Sequence, residues 1–392
     1  MVEEIAMIPQ PAAQSHAQRE LFATYSLDTL ISGAARLRPQ GIALCDRSTS
    51  VSFDLLAGQA TALARLLSDC GLRAGERLLI TGGAEVTLVI AIVAALRGGF
   101  EVALAPLDLD PAELATYARA IGAVALAGPT SYGAPVPPET YFAAAAAVPS
   151  IRLVATLGPQ EIDGAVDLST AAVLRYAATY FDIGIERNKA APAAPPRIIT
   201  FDPNSKSPMV HHQATLMAAS LDFIARARIG RETPILSTLP PTSFAGLVAG
   251  PLAALLSGAT LYLDGPFEAQ AFLKRRDEAG HAHLVVPAGV AAEFSRAGIF
   301  EGLASAVLVS RLPATKPFIP PETLAAACPI IDLYAVDEAA AIGELRRDGT
   351  PVPPAQAPHF VGFDDARILT AEACPRPERP LACRGAAVTS AE

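Results

Sequence analysis

The stretch L-P-P-T-S-F-A-G-L-V-A-G-P-L-A-A-L-L-S-G-A-T-L-Y-L fills residues 239–263. Its apolar run predicts a helix over 244–256, and the β-type residues after Gly258 predict a strand over 259–263. The same alternation continues outward. Upstream lie a strand at 197–201, a helix at 213–228 and a strand at 234–239. Downstream come a helix at 268–279, strands at 283–286 and 306–309, a helix at 321–327 and a strand at 330–334.

The N-terminal half repeats the pattern. After a helix-like segment at 27–37, short strands at 41–45 and 51–53 flank a polar turn. Leu55, Leu56, Ala60, Leu63, Leu66 and Leu67 then recur at helical spacing until Cys70-Gly71, where glycine offers a left-handed cap. Strands at 77–81, 101–105 and 123–127 enclose helices at 85–96 and 111–121, the second opened by Asp110-Pro111. The Pro/Ala-rich segments 133–150 and 188–196 read as surface loops or linkers.

Strands alternating with helices give an α/β fold, with mostly parallel sheets covered by helices. The expected division is an α/β lobe over 1–196, a second over 197–348 and a small, partial β-rich lobe over 349–392.

Composition narrows the partners. A net charge of −9 without a basic cluster argues against nucleic acid. The run 86–96 is too short to span a bilayer, so no membrane span is expected. An acidic N-terminus without a basic n-region and five scattered cysteines with no C-x-x-C pair suit a reducing cytoplasm and supply no structural metal framework.

Four segments, in order, resemble the large N-terminal domain of the adenylate-forming superfamily, which includes acyl- and aryl-CoA synthetases. They are S-F-D-L-L-A-G-Q-A-T-A-L-A-R-L-L-S-D-C-G-L-R-A-G-E-R-L-L-I (52–80), A-A-L-R-G-G-F-E-V-A-L-A-P-L-D (94–108), the opening stretch 239–263, and L-Y-A-V-D-E (333–338). The likeness runs from about residue 27 to about residue 388. It implies two α/β lobes and a small β-barrel lobe with the ligand at their junction. It also implies an AMP-forming acid–thiol ligase chemistry that passes through an acyl-adenylate, with Mg-ATP or AMP as the cofactor.

The residues that chemistry needs are altered. The family's glycine-rich phosphate loop, T-S-G-S-T-G-x-P-K-G-V, corresponds to the loop within T-F-D-P-N-S-K-S-P-M-V-H-H (200–212). Asp202, Asn204, Ser205, Lys206 and Ser207 form the remnant, without any glycine to approach a phosphate closely. Asp202 places a negative charge where phosphate oxygens would lie, and Pro203 lacks an N–H. Glu338 falls at the family's magnesium ligand and Tyr334 at the ring near adenine; Asp337 replaces the threonine facing the α-phosphate. Arg311, next to Ser310, replaces a glycine of the pocket strand, and either grips a carboxylate or phosphate or forms a structural ion pair. Ser243, three residues before Gly246, stands where acyl-CoA synthetases commonly have histidine. His211 and His212 fall near the family's post-loop histidine, with a surface or helix-start position as their default.

Asp337 and Glu338 have a second reading, as caps of the following turn. The segment R-P-L-A-C-R-G-A-A-V (379–388) resembles the family's motif that precedes its ribose-binding aspartate, hinge and lysine-bearing C-terminal domain. The expectation is therefore an altered, non-catalytic relative that binds a carboxylate, acyl or nucleotide-like ligand, or a partner protein. The alternative is an active AMP-forming ligase with divergent motifs, completed by a separate C-terminal domain.

Overall fold

The computed structural model describes residues 26–158, 160–181, 195–312, 321–325, 327–352, 370–372 and 382–384. Helix α1 (Leu27–Leu37) leads into the hairpin β1 (Ile42–Cys45) and β2 (Ser50–Ser52) and then α2 (Phe53–Asp69). Strand–helix units follow: β3 (Arg77–Thr81), α3 (Val86–Gly98), β4 (Glu101–Ala105), α4 (Pro111–Ile121) and β5 (Ala125–Gly128). After α5 (Glu139–Ala146) come β6 (Leu153–Thr156), β7 (Val166–Asp167) and α6 (Thr170–Phe181). The next block is β8 (Ile198–Phe201), β9 (Pro208–His211), α7 (Gln213–Ala227), β10 (Ile235–Ser237) and α8 (Phe244–Leu247). A π turn (Val248–Leu252), α9 (Ala253–Ser257), β11 (Leu261–Leu263), α10 (Ala269–Ala279), β12 (His283–Pro287) and α11 (Ala291–Arg296) continue the chain. It then runs through β13 (Ser305–Leu312), β14 (Ile330–Val336) and β15 (Ala340–Leu345) to the hairpin β16 (Thr370–Glu372) and β17 (Ala382–Arg384).

Helical crossovers force neighbouring strands to run parallel. The seven-stranded sheet has the order β7-β6-β5-β3-β4-β8-β9, parallel except for β8 against β9. The eight-stranded sheet has the order β15-β14-β13-β12-β10-β11-β1-β2, parallel in its middle with an antiparallel pair at each end. Helix α3 is apolar all round, and Leu88 through Leu96 are buried without a break, as a helix enclosed by other layers requires. One core joins Leu56 and Val89 of the helices, Ile80 and Ile198 of the first sheet and Leu261 and Leu333 of the second.

The structure departs from the sequence expectations in several places. The division at residue 196 does not separate the sheets: β8 pairs with β4, and β1 pairs with β11. The segment 133–150 is not all loop, because its alanine run forms α5 and buries Tyr141 and Ala144. Segment 188–194 lies outside the described residues. The helix expected over 244–256 is broken by the π turn, where Gly250 (φ −104°, ψ −106°) precedes Pro251, which has no N–H to continue a helical ladder. No helix forms over 321–325. There Leu324 N–H donates to Gly349 O (3.2 Å) and Arg346 reaches Glu322 O (2.7 Å), so tertiary bonds replace helical ones. Strands β9 and β15 have no counterpart in the expectations. Of the last lobe, the described residues show β16 paired with β17.

Candidate functional site

The carboxyl ends of β8, β13 and β14 meet the N-terminus of α8, and most of the candidate residues lie there. The loop 202–207 is the turn of the β8–β9 hairpin. Its backbone closes on itself through Asp202 N–H to Ser207 O (2.9 Å) and Lys206 N–H to Asp202 O (2.8 Å). Lys206 adopts φ +58°, the left-handed conformation usually left to glycine, asparagine or aspartate.

Asp202 decides what this loop can hold. Its Oδ1 accepts the Asn204 N–H (3.0 Å), the Ser205 N–H (2.6 Å) and the Ser205 hydroxyl (2.9 Å). Backbone N–H groups converging on one anionic oxygen are the arrangement by which loops grip phosphate. Here the anion is the loop's own carboxylate. Burial opposes its charge, yet the Ser205 and Asn204 donors and the nearby Arg311 guanidinium hold the carboxyl below the ordinary aspartate range. Lys206 is turned to Glu113 of α4 at 2.5 Å. Ser207 N–H donates to Ser205 Oγ (3.3 Å).

Glu338 is 3% exposed, in the turn between β14 and β15. Its Oε2 accepts the Phe244 N–H at 2.6 Å, the first N–H of α8. A carboxylate at a helix N-terminus satisfies an orphan donor. Burial pushes the Glu338 carboxyl above its ordinary value, against the pull of the Phe244 N–H, the Thr200 hydroxyl and the Arg311 charge. Thr200 is also 2.7 Å from His211 Nε2. Burial drives His211 down to about 3, so the ring is neutral at physiological pH. With the Thr200 hydrogen directed to Glu338, the Thr200 oxygen accepts from a His211 ring protonated on Nε2. The ring packs on Phe244 at 4.9 Å. The chain His211–Thr200–Glu338–Phe244 thus ties the two sheets together.

The other candidates sit around this tie. Ser243 is the N-cap of α8 and accepts the Gly246 N–H at 3.1 Å. A Cβ on Gly246 would lie 2.2 Å from Pro240 O, so the glycine lets the chain fold back on itself here. Asp337 adopts φ +47° and its N–H donates to Leu312 O (3.2 Å). Aspartate tolerates that conformation better than a β-branched residue does. Ser310 is half-buried opposite Tyr334, and Arg311 is exposed at the end of β13.

Tyr334 does not offer a ring to a ligand. It is fully buried, and its O–H donates to Val352 O at 3.1 Å. Burial, then the adjacent Asp332 carboxylate, push its phenol above the ordinary range. Asp332 itself forms a buried two-point ion pair with Arg346, at 2.8 Å for each contact. Of the two histidines, His212 is exposed as the N-cap residue of α7, whereas His211 is wholly buried and not at the surface.

Sequence reasoning missed Thr200, His211 as a core residue, and Glu113 as the partner of Lys206. The missed strand β9 explains the first two: Thr200 and His211 become diagonal neighbours only once β8 and β9 pair in register.

This arrangement does not fit a bound triphosphate, because the Asn204 and Ser205 N–H groups and the Ser205 hydroxyl already face Asp202 and the Lys206 ammonium faces Glu113. Nor does it fit a resident magnesium ion. Among the described residues no three His, Cys, Asp or Glu side chains are grouped to hold a metal, and Glu338 already serves α8. What remains available is Arg311, an exposed cation beside two engaged carboxylates.

No known family profile matches the sequence, and no curated protein is recognisably similar to it. Solved structures are similar in fold. A protein of Rhodopseudomonas palustris assigned as a long-chain-fatty-acid CoA ligase is 15% identical with a TM-score of 0.72, over 93% of this chain and 89% of that one. Apo MbtA of Mycobacterium smegmatis is 20% identical with a TM-score of 0.71, over 98% of this chain and 71% of that one. The N-terminal subdomain of Klebsiella oxytoca NpsA, in complex with 3-hydroxybenzoyl-AMSN, is 14% identical with a TM-score of 0.66, over 93% of this chain and 88% of that one. No helix among the described residues is long and apolar enough to cross a membrane. The chain has the fold of the large N-terminal domain of the adenylate-forming enzymes.

Proposed function

We propose that this protein is a strongly altered relative of AMP-dependent synthetases that binds a small carboxylate, acyl or nucleotide-like ligand without adenylating it. One observation carries the reading: Asp202 Oδ1 takes the loop N–H groups that a phosphate would need. A triphosphate entering the loop would meet a fixed like charge and would have to break those bonds. Glu338 supports the same reading, since its removal from α8 would leave a buried N–H without a partner. Arg311 is then the group that meets a ligand's carboxylate, with Ser310 beside it. The alternative partner for these strand ends is a protein. A cytoplasmic location suits the chain's scattered cysteines.

The test is carboxylate-dependent exchange of pyrophosphate into ATP over a broad panel of acids, run beside thermal shifts with Mg-ATP, the acids and acyl-CoA. The proposal expects no exchange, no shift with Mg-ATP and a shift with an acid or acyl compound. Exchange with any acid overturns it.

The second reading is an active AMP-forming ligase completed by a separate C-terminal domain. It is favoured by the likeness to ATP-bound MatB of Rhodopseudomonas palustris, 17% identical with a TM-score of 0.68. Exchange that appears only when such a domain is supplied would select it.

A further inference from the structure

Beyond the strand ends, the turn of the β1–β2 hairpin and one face of α10 enclose a cleft of about 410 Å³. That volume lies within the range of small-molecule sites, roughly 300–1,000 Å³. Cys45 through Ser50 form one wall, and Ala271, Lys274, Arg275 and Glu278 the other.

Both acidic groups of the cleft already have partners, Asp46 in its own turn and Glu278 on the cations of α10. Asp46 Oδ1 accepts the Ser48 N–H (2.9 Å), the Ser48 hydroxyl (3.0 Å) and the Thr49 N–H (2.8 Å), while its Oδ2 accepts the Val86 N–H (2.9 Å). Glu278 accepts from Arg275 at 2.7 Å and lies 4.0 Å from Lys274. Arg47 also lines the cleft and is bonded to Asp264 (3.3 Å) and Pro266 O (2.6 Å).

The donors are better placed. Arg275 is fixed by Asp46 O (2.6 Å), by Glu278 and by the Tyr262 ring, whose centre lies 5.6 Å from the guanidinium carbon. Its Nη1 also points at Cys45 Sγ (3.4 Å). Burial raises the Cys45 thiol above its ordinary value against the pull of Arg275 and Ser50, so the sulfur adds no negative charge at neutral pH. Lys274 is 81% exposed on the rim.

We propose that this cleft is a second binding site, for a metabolite-sized anion bearing a phosphate or a carboxylate. Lys274 and the Arg275 edge meet its charge, and the Thr49 and Ser50 hydroxyls and the Cys45 thiol line the site. A pre-fixed guanidinium beside a mobile ammonium is suited to such a group. The site is separate from the strand ends, so neither proposal depends on the other.

Peptide-resolved alkylation of the full chain tests it, with inorganic phosphate and succinate as probes and sodium chloride of equal ionic strength as control. A bound anion covers Cys45 and offsets Arg275, and both effects slow alkylation. The expected result is about fivefold slower reaction at Cys45 with ~10 mM phosphate or succinate, a concentration suited to millimolar affinity. Cys70, exposed at the end of α2, serves as the internal control and keeps its rate. The exposed substitution Lys274→Glu abolishes the protection. Calorimetric titration of both probes into wild type and Lys274→Glu reads the site independently of thiol access. The proposal is overturned if Cys45 reacts equally in phosphate, succinate and chloride and no heat of binding appears. It is also overturned if protection or binding persists unchanged in Lys274→Glu.

Discussion

The turn at 202–207 and the turn holding Glu338 are close in space but differ in what has changed. In the first, the sequence suggested a phosphate loop, and the loop's own aspartate takes its N–H groups. In the second, the glutamate expected of a metal site is present, but its oxygen caps a helix. Presence or loss of a motif letter is therefore a poor guide by itself. Where each buried donor and acceptor finds its partner is the better one.

That contrast is broken most strongly at Glu338. Glu338→Ala leaves the Phe244 N–H and the Thr200–His211 pair without their acceptor. Loss of about 3 kcal/mol is expected in urea unfolding, the scale of a buried network losing one member. Glu338→Gln keeps an acceptor and should cost about 1 kcal/mol. A loss below that for both variants would mean the glutamate does not act as a structural tie.

The buried histidine gives a pH signature. His211 titrates near 6.5 when unfolded and near 3 when folded. Because the folded value is depressed, the unfolded chain binds the extra proton, and stability falls as pH drops from 6.5 toward 3. His211→Asn should flatten that limb by about 1 kcal/mol per pH unit. Glu85 acts in the opposite sense over its own window. Burial, then Asp46, raise its carboxyl from 4.5 to about 7, so stability is lost as pH rises between those values. Glu85→Gln should remove that loss, and unfolding midpoints at pH 5 and pH 8 report both effects.

The phosphate-like turn is expected to respond less. Asp202→Ala removes an exposed turn's central acceptor and should cost about 1 kcal/mol, the scale of a lost cap. Substitution of Lys206 by Ala sharpens the comparison from below. Its partner Glu113 is solvent-screened, so the melting temperature should not move measurably.

Much of the fold was legible because alternating strands and helices leave period and punctuation in the sequence. Asp110-Pro111 predicted the start of α4, and its capping box with Glu113 is present. What stayed hidden was set by long-range pairing. The hairpin β8–β9 and the exchange of β1–β2 into the second sheet depend on register, which local periodicity does not encode. At the candidate site, the absence of glycine from 202–207 and the charge of Asp202 were visible. The acceptors of the Asp202 loop and the cap from Glu338 to α8 were not, since residues 338 and 244 meet only in the folded chain. Tyr334 taught the same point, because its place in the motif gave no sign that β14 would bury it.

The central claim is that the loop's anion position belongs to Asp202. Calorimetric titration of Mg-ATP into the intact protein tests it most directly. The account predicts no saturable binding up to about 1 mM Mg-ATP. Saturable binding with a Kd below about 100 μM, lost when Asn204 and Ser205 are replaced by proline, would contradict it.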